Sequence, residues 1–491
     1  MKQRWPKYVC RYLEKKGLPL DIALTFENVT IVDLFSEIPS RSDEHIDTRS
    51  HLGKGIYLPR PIFSANMDTI TESKMAIAMA RLGGCGVIHQ FLPIEKRVGE
   101  VEKVKRADNY IVESPLTIKS SATIKEAREL MAEYHISGLV VTEDGCENVA
   151  GVLSRRDVCW ALDDLMVSER MTARAKMIYA KHDISVEDAK KILYESRIEK
   201  LPLLDSDGKL AGLITASDIL KRERFNRAFR DRKGRLGVAA AVGVGKGMLK
   251  ECAALLEAEI DILFIDTARG NSAILKNAVK EARSAFGDKF LLAAGNVDTP
   301  AGMEMLYEAG ADLPKEGIGG GSRCKTRKGP GVGIPKITSA ASCAAVARKF
   351  KKHFISDGGV KGPDDYCKLL VAGADAVMLG GLFGATEETP GDIFFEDGER
   401  WKIVRGSASL EFQLSRTDRD PEDSRVRAPE GDQKRERFRG EVAPIIDELT
   451  GYQHSVMSYV GAKNMKDLHL RGYFFHQTSS GYEEGKPHDV F

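Results

Sequence analysis

Ile262-Leu263-Phe264-Ile265-Asp266 decides the fold, because it is an unbroken apolar run that ends in a carboxylate just before a helix-like segment. Three later stretches have the same form, namely Phe290–Asn296, Phe354–Asp357 and Ala376–Gly380. A strand that is apolar along its whole length is usually buried on both faces, as in a parallel sheet covered by helices. The sequence therefore predicts an α/β fold in which buried strands alternate with helices.

The same alternation of strand and helix occurs near the N-terminus. Pro61–Ser64 reads as a strand, Lys74–Leu82 as a helix and Gly83–His89 as a turn followed by a strand. Two further short strands are predicted at Ala23–Phe26 and Val29–Val32. Repeated strand–helix units on both sides of a long interruption predict a (β/α)8 TIM barrel.

The C-terminal ends of the strands form the active face of a barrel of this kind. The residues expected to meet there are Asp266, Asn296, Asp357 and Gly380. Asp357 directly precedes the glycine pair Gly358-Gly359, and Gly380 begins the pair Gly380-Gly381. Paired glycines after late barrel strands let a phosphate approach the backbone. Either pair alone could be a tight turn, but two on one face favour a phosphate site.

An internal repeat fills the interruption between the barrel segments. Gly151–Val158 recurs as Gly212–Ile219, and each copy carries a Ser/Thr-x-x-Asp pattern before a helix. We predict that residues 108–228 form an inserted domain and that residues 1–107 and 229–491 form the barrel. The repeat resembles a tandem pair of CBS domains, which implies a regulatory site for adenine or guanine nucleotides. Helix capping explains the matching residues equally well. These residues are Ser154, Asp157, Thr215 and Asp218.

Composition and charge exclude several functional classes. The 73 basic and 72 acidic residues give a formal net charge of +1, so no basic field recruits nucleic acid or an anionic membrane. The eight cysteines include no CxxC pair, which argues against a zinc site. No apolar run suits a signal peptide or a membrane span. Scattered thiols then favour a reducing compartment, the cytoplasm.

The segment with the most specific chemistry is Gly317-Ile318-Gly319-Gly320-Gly321-Ser322-Arg323-Cys324-Lys325-Thr326-Arg327. A glycine-rich turn exposes backbone N–H and carbonyl groups that can hold a phosphate or surround a cation. The turn leads to Cys324 among three basic residues, and neighbouring positive charge favours a thiolate. We therefore predict a nucleophilic cysteine beside a bound anion at the rim of the barrel.

Taken together, these motifs resemble the inosine monophosphate (IMP) dehydrogenase and guanosine monophosphate (GMP) reductase family over nearly the whole chain. The matching segments are Ser64–Thr69, Gly317–Arg327, Ser356–Gly359 and Pro487–Val490. The resemblance implies an enzyme in which Cys324 attacks C2 of a purine nucleoside monophosphate. It also implies a homotetramer, with an octamer as the larger alternative.

The resemblance further assigns site residues by position. Cys324 is the implied nucleophile, Thr326 and Glu430 are the implied proton relay, and Arg419 is the implied base on a flap. The implied substrate contacts are Ser322, Asp357, Gly358, Gly359, Gly380, Gly381, Arg405, Gly406, Ser407 and Glu430. The implied contacts of NAD are Asp266, Asn296, Gly317, Ile318 and Gly319. The implied potassium ligands are carbonyls of Gly319, Gly321 and Cys324, completed by Glu484, Gly485 and Lys486 from a neighbouring subunit.

Three departures from the family pattern leave the reaction open. Asp418-Arg419-Asp420 lacks the tyrosine of the dehydrogenase Arg-Tyr pair, within a charged segment, residues 411–439, predicted to be a mobile flap or a plain linker. Val404–Ser409 lacks a phosphate-binding phenol, and Leu313–Glu316 is more charged than the family's strand end. NAD-dependent oxidation of IMP to xanthosine monophosphate is the main prediction. The alternatives are NADPH-dependent reduction of GMP to IMP and ammonia, and a nucleotide sensor without catalysis.

Overall fold

The structure is a computed structural model that describes residues 5–42, 44–108, 111–112, 115–134, 136–143, 147–406, 409 and 430–486. The side chains of residues 218, 221 and 222 lie outside this description. The chain divides into two compact units. One unit contains Met1–Ala107 and Arg227–Phe491, and the other contains Asp108–Asn226.

The first unit is built around a closed barrel of eight parallel strands, which confirms the predicted (β/α)8 fold. In chain order the strands are β1 (Ile62–Ser64), β2 (Cys85–Ile88), β3 (Ala239–Val242), β4 (Ile262–Asp266), β5 (Leu291–Val297), β6 (Leu313–Glu316), β7 (Ile355–Asp357) and β8 (Ala376–Leu379). β8 pairs with β1 and β2 pairs with β3, so the ring closes across the long insertion in the sequence.

Side chains alternate between the two faces of each strand, so the barrel has an inner and an outer core. Inside, Phe63 packs edge-on against Phe264 with ring centroids 5.8 Å apart, and both are fully buried. On the outer face, the adjacent residues Ile62 and Ile265 are buried in the layer between the strands and the helices. Burial on both faces explains why the strand sequences are apolar throughout.

Helices cover the outside of the barrel. They are α1 (Ser73–Arg81), α2 (Ile94–Arg106), α3 (Met248–Glu257), α4 (Ala273–Phe286), α5 (Pro300–Ala309), α6 (Lys336–Phe350), α7 (Pro363–Ala372) and α8 (Ala443–Val460). Local sequence sets their ends: α7 begins with Pro363, whose fixed φ suits the first turn, and is followed by Gly373 with φ of 117°. None of the helices in the described ranges is long and apolar enough to cross a membrane.

Shorter elements complete the first unit. A hairpin of Ser50–Gly53 and Ile56–Leu58 inserts Leu52 and Leu58 into the inner core of the barrel. Between β8 and α8 lies a three-stranded antiparallel sheet of Phe394–Glu396, Glu399–Arg405 and Gln433–Arg437. The remaining elements are helices Lys7–Lys15, Phe26–Asn28, Met465–Arg471 and Ser479–Glu484, and the paired strands Val29–Ile31 and Phe474–His476.

The described residues of the second unit form two four-stranded sheets. In spatial order, one consists of Thr172–Ala173, Val149–Ser154, Gly138–Thr142 and Thr117–Lys119, and the other of Ala180–Lys181, Lys200–Leu204, Leu210–Thr215 and Ile111–Val112. Its α-helices are Ile124–Glu133, Arg155–Cys159, Val167–Arg170, Val186–Glu195 and Ala216–Arg224. Each half has an antiparallel strand pair that runs directly into a helix, so the repeat in sequence is also a repeat in structure.

One predicted element is wrong. Ala23–Phe26 does not form a strand, and Phe26 instead begins a single turn of 3₁₀-helix. Leu24 N donates to Thr338 Oγ1 at 2.8 Å, and Leu24 O accepts from Ile337 N at 3.2 Å. The apolar segment is therefore tied to the first turn of α6, and this tertiary contact overrides its local preference for a strand.

Candidate active site

A buried lysine joins two carboxylates at the mouth of the barrel. Asp266 ends β4 and Asp357 ends β7, while Lys315 lies on the intervening strand β6. Lys315 Nζ is 2.8 Å from Asp357 Oδ2 and 3.3 Å from Asp266 Oδ1, and its side chain is only 4% exposed. The cation thus brings a carboxylate predicted to bind the cofactor next to one predicted to bind the substrate.

The charges in this cluster stabilise one another. Burial alone would raise the pKa of Asp357, but Lys315 and Asn296 hold that pKa below its usual range. Burial would likewise lower the pKa of Lys315, yet the two carboxylates hold it above its usual range. At neutral pH the mouth therefore contains the Lys315 ammonium and the ionised carboxylate of Asp357, which can accept hydrogen bonds from ribose hydroxyls.

Two asparagines orient the carboxylates. Asn66 Nδ2 donates to Asp266 Oδ2 at 2.6 Å. Asn296 Nδ2 donates to Asp357 Oδ2 and to Gly317 O, both at 2.8 Å. Asn296 Oδ1 is buried and has no hydrogen-bond partner among the described residues. Because buried acceptors are normally satisfied, this oxygen fits a hydroxyl donor from a bound dinucleotide.

Glycines make room for a ligand beside this cluster. Gly358-Gly359, with φ of 79° and 89°, lies against Gly320-Gly321, and an added Cβ at Gly358 would be 3.3 Å from Gly321 N. An added Cβ at Gly381 would be 2.6 Å from Ser322 Oγ. Three glycine-containing turns thus converge, and their exposed backbone can cradle a phosphate.

A chain of three side chains leads from the candidate nucleophile into the protein. Cys324 is exposed, and its Sγ lies 3.1 Å from Thr326 Oγ1. Thr326 Oγ1 donates to Glu430 Oε2 at 2.7 Å, although the two residues are 104 positions apart. A hydroxyl placed between a sulfur and a carboxylate can pass a proton between them. The structure therefore brings the predicted nucleophile and the predicted relay together.

Backbone hydrogen bonds hold this relay in register. Cys324 forms an antiparallel bridge with Gly431, and Lys325 N donates to Glu430 O at 2.7 Å. The cysteine loop therefore pairs with residues 430–431 as an additional short strand would. This backbone pairing places Glu430 opposite the loop.

Comparison with known proteins agrees with this geometry. The sequence profile of the IMP dehydrogenase / GMP reductase domain matches residues 23–488. The chain belongs to this family. It is 41% identical to an inosine-5'-monophosphate dehydrogenase of Aquifex aeolicus over 95% of both chains, and 38% identical to one of Nitrosopumilus maritimus over 95% of this chain and 98% of that one. A crystal structure of a Trypanosoma brucei GMP reductase with guanosine 5'-monophosphate is 34% identical, with a TM-score of 0.88, over 97% of this chain and 100% of that one.

Basic residues of the IMP dehydrogenase / GMP reductase cysteine loop are paired with acids. Arg323 forms an ion pair with Glu436, and Lys325 Nζ lies 3.5 Å from Asp432. Both acids follow Glu430 in the same segment. Two of the three positive charges that we expect to favour a thiolate at Cys324 are therefore engaged in binding the loop to this segment.

The segment Val404–Gly406 is the described part of the stretch that resembles the family's nucleotide pocket. Val404 is 1% exposed and offers no donor in place of the phenol. Arg405 Nε donates to Asp68 Oδ2 at 2.6 Å, and Gly406 N donates to Asp432 O at 3.0 Å. The predicted site and flap positions Ser407, Arg419 and 411–429, and the motif Pro487–Val490, lie outside the described residues.

The carbonyls implied for potassium in this family lie on one turn. Gly319 has φ of 73°, and Gly321 O accepts from Cys324 N at 3.0 Å. A carbonyl oxygen has a second lone pair, so this bond leaves Gly321 able to bind a cation. Of the potassium ligands implied for a neighbouring subunit, Glu484 is the last residue of the helix Ser479–Glu484, and Gly485 and Lys486 follow it. Lys486 forms an ion pair with Glu483.

The predicted regulatory residues in the second unit have different surroundings. Ser154 N and Ser154 Oγ both donate to Asp157 Oδ2 at 2.7 Å, which is the arrangement of a helix cap. Thr215 and Lys200 line a cavity of about 450 Å³, a volume within the range of small-molecule sites. The side chain of Asp218 lies outside the described residues. Capping thus accounts for the first pair, while the second copy offers space for a ligand.

Several residues that build the site have no role that the sequence predicts. Lys315 is one, and its signal is a charged residue in a buried strand, where a charge is costly unless it is paired. Asn66 and Asp68 belong to the motif Ser64–Thr69. Only the fold shows that Asn66 contacts Asp266 and that Asp68 contacts Arg405. These contacts join residues that are far apart in sequence.

Proposed function

We propose that the protein is an NAD-dependent IMP dehydrogenase that oxidises IMP to xanthosine monophosphate through a covalent intermediate on Cys324. The observation that carries this proposal is the hydrogen-bonded chain from Cys324 through Thr326 to Glu430. It lies at a barrel mouth beside a backbone cradle for phosphate. Relatives at 38% and 41% identity that bear the name IMP dehydrogenase support the choice within the family.

Substrate binding follows from the surfaces that converge at the mouth. Ser322 and the turns Gly358-Gly359 and Gly380-Gly381 would hold the 5'-phosphate with hydroxyl and backbone donors. Asp357 would accept hydrogen bonds from the ribose of IMP, and Asp266 from the nicotinamide ribose. Bound NAD would supply the hydride acceptor. The ribose contacts orient the purine with C2 toward Cys324.

The chemistry requires one nucleophile and one proton relay. The Cys324 thiolate forms a C–S bond at C2, and the hydrogen on C2 leaves as hydride with its bonding electrons. Water then attacks C2, the C–S bond breaks, and Cys324 departs as a thiolate. Thr326 accepts a proton from that water while it passes its own to Glu430. We propose that Arg419 assists the same hydrolysis from the flap.

Reduction of GMP to IMP and ammonia with NADPH is the second candidate. The Trypanosoma brucei GMP reductase that matches almost the whole chain favours it, and so does Asp420 in place of the flap tyrosine. In that reaction ammonia leaves C2 before hydride arrives, so no water needs to be activated. The thiol and the relay serve either reaction.

A pair of substrate assays separates the candidates. Formation of NADH from IMP and NAD supports the dehydrogenase, whereas consumption of NADPH with release of ammonia from GMP supports the reductase. Replacement of Cys324 by Ser should abolish the active reaction but leave nucleotide binding intact. Binding of IMP and GMP without turnover of either would instead indicate a sensor.

We propose three further properties on the strength of the family resemblance. Potassium binds the carbonyls of Gly319, Gly321 and Cys324 and is completed by Glu484–Lys486 of a second subunit in a homotetramer. Tandem CBS domains in residues 108–228 bind adenine or guanine nucleotides. The protein works in the cytoplasm, where reducing conditions keep Cys324 as a free thiol. Activity in sodium against potassium, sedimentation, and titration with ATP and GTP test these points.

A further inference from the structure

A buried ion pair lies directly beneath the candidate active site. Glu316 is the last residue of β6 and is fully buried, and Lys336 is the first residue of α6, with a side chain that is 7% exposed. Lys336 Nζ is 2.9 Å from Glu316 Oε2. Neither residue takes part in the proposed chemistry. Because buried ion pairs often stabilise a fold no more than apolar residues would, the pair calls for another explanation.

The hydrogen bonds of the pair are complete. Ser339 Oγ donates to Glu316 Oε1 at 2.5 Å, and Ser356 Oγ donates to Glu316 Oε2 at 2.6 Å. Lys336 Nζ also donates to Asp357 O at 2.6 Å and, more weakly, to Glu316 O at 3.3 Å. The Lys336 ammonium therefore binds the backbone carbonyls that end two neighbouring strands, β6 and β7.

These two strand ends begin the loops that form the site. Glu316 precedes Gly317, the start of the cysteine loop, and Asp357 precedes the Gly358-Gly359 turn. An added Cβ at Gly317 would be 2.7 Å from Lys336 Nζ and would overlap Asp357 O. The Lys336 ammonium thus fills the space between the two loops. Among the described residues, the backbone oxygens that it contacts are Glu316 O and Asp357 O.

We propose that Glu316 and Lys336 are positioning residues that fix the distance between the cysteine loop and the Gly358-Gly359 turn. The first of these carries the predicted cofactor contacts and the second carries predicted substrate contacts. Glu316 holds the ammonium in place, and Lys336 fixes the carbonyls on either side. Lys315 and Asn296 bind the carboxylate of Asp357, whereas Lys336 binds its backbone carbonyl. The side chain and the backbone of Asp357 are therefore held by different residues. The identity of the two ligands rests on the proposed function, but the positioning role does not.

Single substitutions test the role of the ammonium. Lys336→Met removes a charged donor from Asp357 O, and loss of such a bond should raise KM for the nucleotide about tenfold or more. KM for the dinucleotide should rise as well, while kcat changes less, because no reacting atom is lost. Glu316→Gln should act in the same direction, since it leaves the ammonium without its counter-charge.

A double substitution separates positioning from simple stability. Glu316→Val with Lys336→Leu replaces the pair by apolar side chains and should restore the thermal midpoint that each single variant loses. If the pair positions the loops, KM stays raised in this stable double variant. If KM returns to the wild-type value together with stability, the pair is merely structural and the proposal is wrong.

Lys16→Met is the matched control. Lys16 is also a buried lysine, and its amine binds Val371 O, His469 O and Gly472 O at 2.6–2.8 Å. Burial lowers its pKa to about 7, and among the described residues it forms no hydrogen bond with the candidate site. It should lower the thermal midpoint without changing either KM. Each KM is compared with that of the wild type, and the substrate is whichever nucleotide the protein turns over. If it turns over neither, the affinities for IMP and GMP are compared by calorimetry. An unchanged nucleotide affinity in Lys336→Met overturns the proposal, whereas failure to oxidise IMP overturns only the proposed reaction.

Discussion

Replacing Lys315 by Met should destabilise the barrel and weaken binding of both ligands. The substitution keeps the stem of the side chain but removes the charge from between Asp357 and Asp266, at 2.8 Å and 3.3 Å from its Nζ. Removal of one partner from a buried pair costs about 3–5 kcal/mol, and we expect about 3 because the two carboxylates retain 18% and 20% exposure. The measurements are the thermal midpoint of the barrel and KM for the nucleotide and the dinucleotide.

The pH dependence of this loss gives a second test. The native pKa of Asp357 is depressed, so its interaction with Lys315 contributes stability at neutral pH that is lost as pH falls through that pKa. In Lys315→Met burial remains and favours the protonated carboxyl. The difference in stability between wild type and variant should therefore be largest near neutral pH and narrow below about pH 4.

Lys74→Met is the control for Lys315→Met. Lys74 Nζ lies 2.6 Å from Glu387 Oε1, but the two side chains are 61% and 41% exposed. An exposed pair of this kind is worth about 0–1 kcal/mol, so the control should melt close to wild type. Our reasoning is wrong if Lys315→Met has the same thermal midpoint as Lys74→Met and if its loss of stability relative to wild type does not depend on pH. In that case charge does not hold the cluster at the barrel mouth together.

Three other predictions concern the relay, the cysteine loop and the base of the barrel. Thr326→Val should lower kcat about 10²–10⁴-fold with little change in KM, and Glu430→Gln, which keeps a hydrogen-bond acceptor, should lower it in the same direction; steady-state rates check both. Arg323→Met should leave the alkylation rate of the active-site thiol unchanged, because its guanidinium is already bound to a glutamate; a faster or slower rate would show that it acts on the sulfur. Burial would raise the pKa of Asp375, but Arg348 and a histidine hold it at about 2. Asp375→Asn should therefore destabilise the protein by about 3–5 kcal/mol at neutral pH, with the deficit closing between about pH 4 and pH 2 in acid unfolding.

The barrel could be predicted from sequence because its strands are buried on both faces. Ile262–Asp266 is β4 from its first residue to its last, and Ser73–Arg81 is helical where Lys74–Leu82 is predicted to be. Ala23–Phe26 has the same apolar character, yet it packs on α6 without forming a strand. An apolar run shows that a segment is buried, but its hydrogen-bond partner decides whether it is a strand.

The candidate site could be predicted only in part, for a similar reason. Cys324, Thr326 and Asp357 lie in short motifs that can be read locally. Lys315 and Glu316 read as a departure from an apolar strand, because their partners lie on other strands and on α6. A buried charge becomes interpretable only when its counter-charge is known.

The antiparallel ladder at the cysteine loop has a consequence for the segment that follows Gly406. Gly406 N donates to Asp432 O, and Gly431 bridges to Cys324, so the chain exits and re-enters the site through two points that are fastened to each other. In the sequence, residues 407–429 connect these two fastened points. On the proposed function, insertions, deletions and new residue types there would change how water or ammonia is handled without moving Glu430, which completes the relay. Two chemistries can diverge on one scaffold in this way.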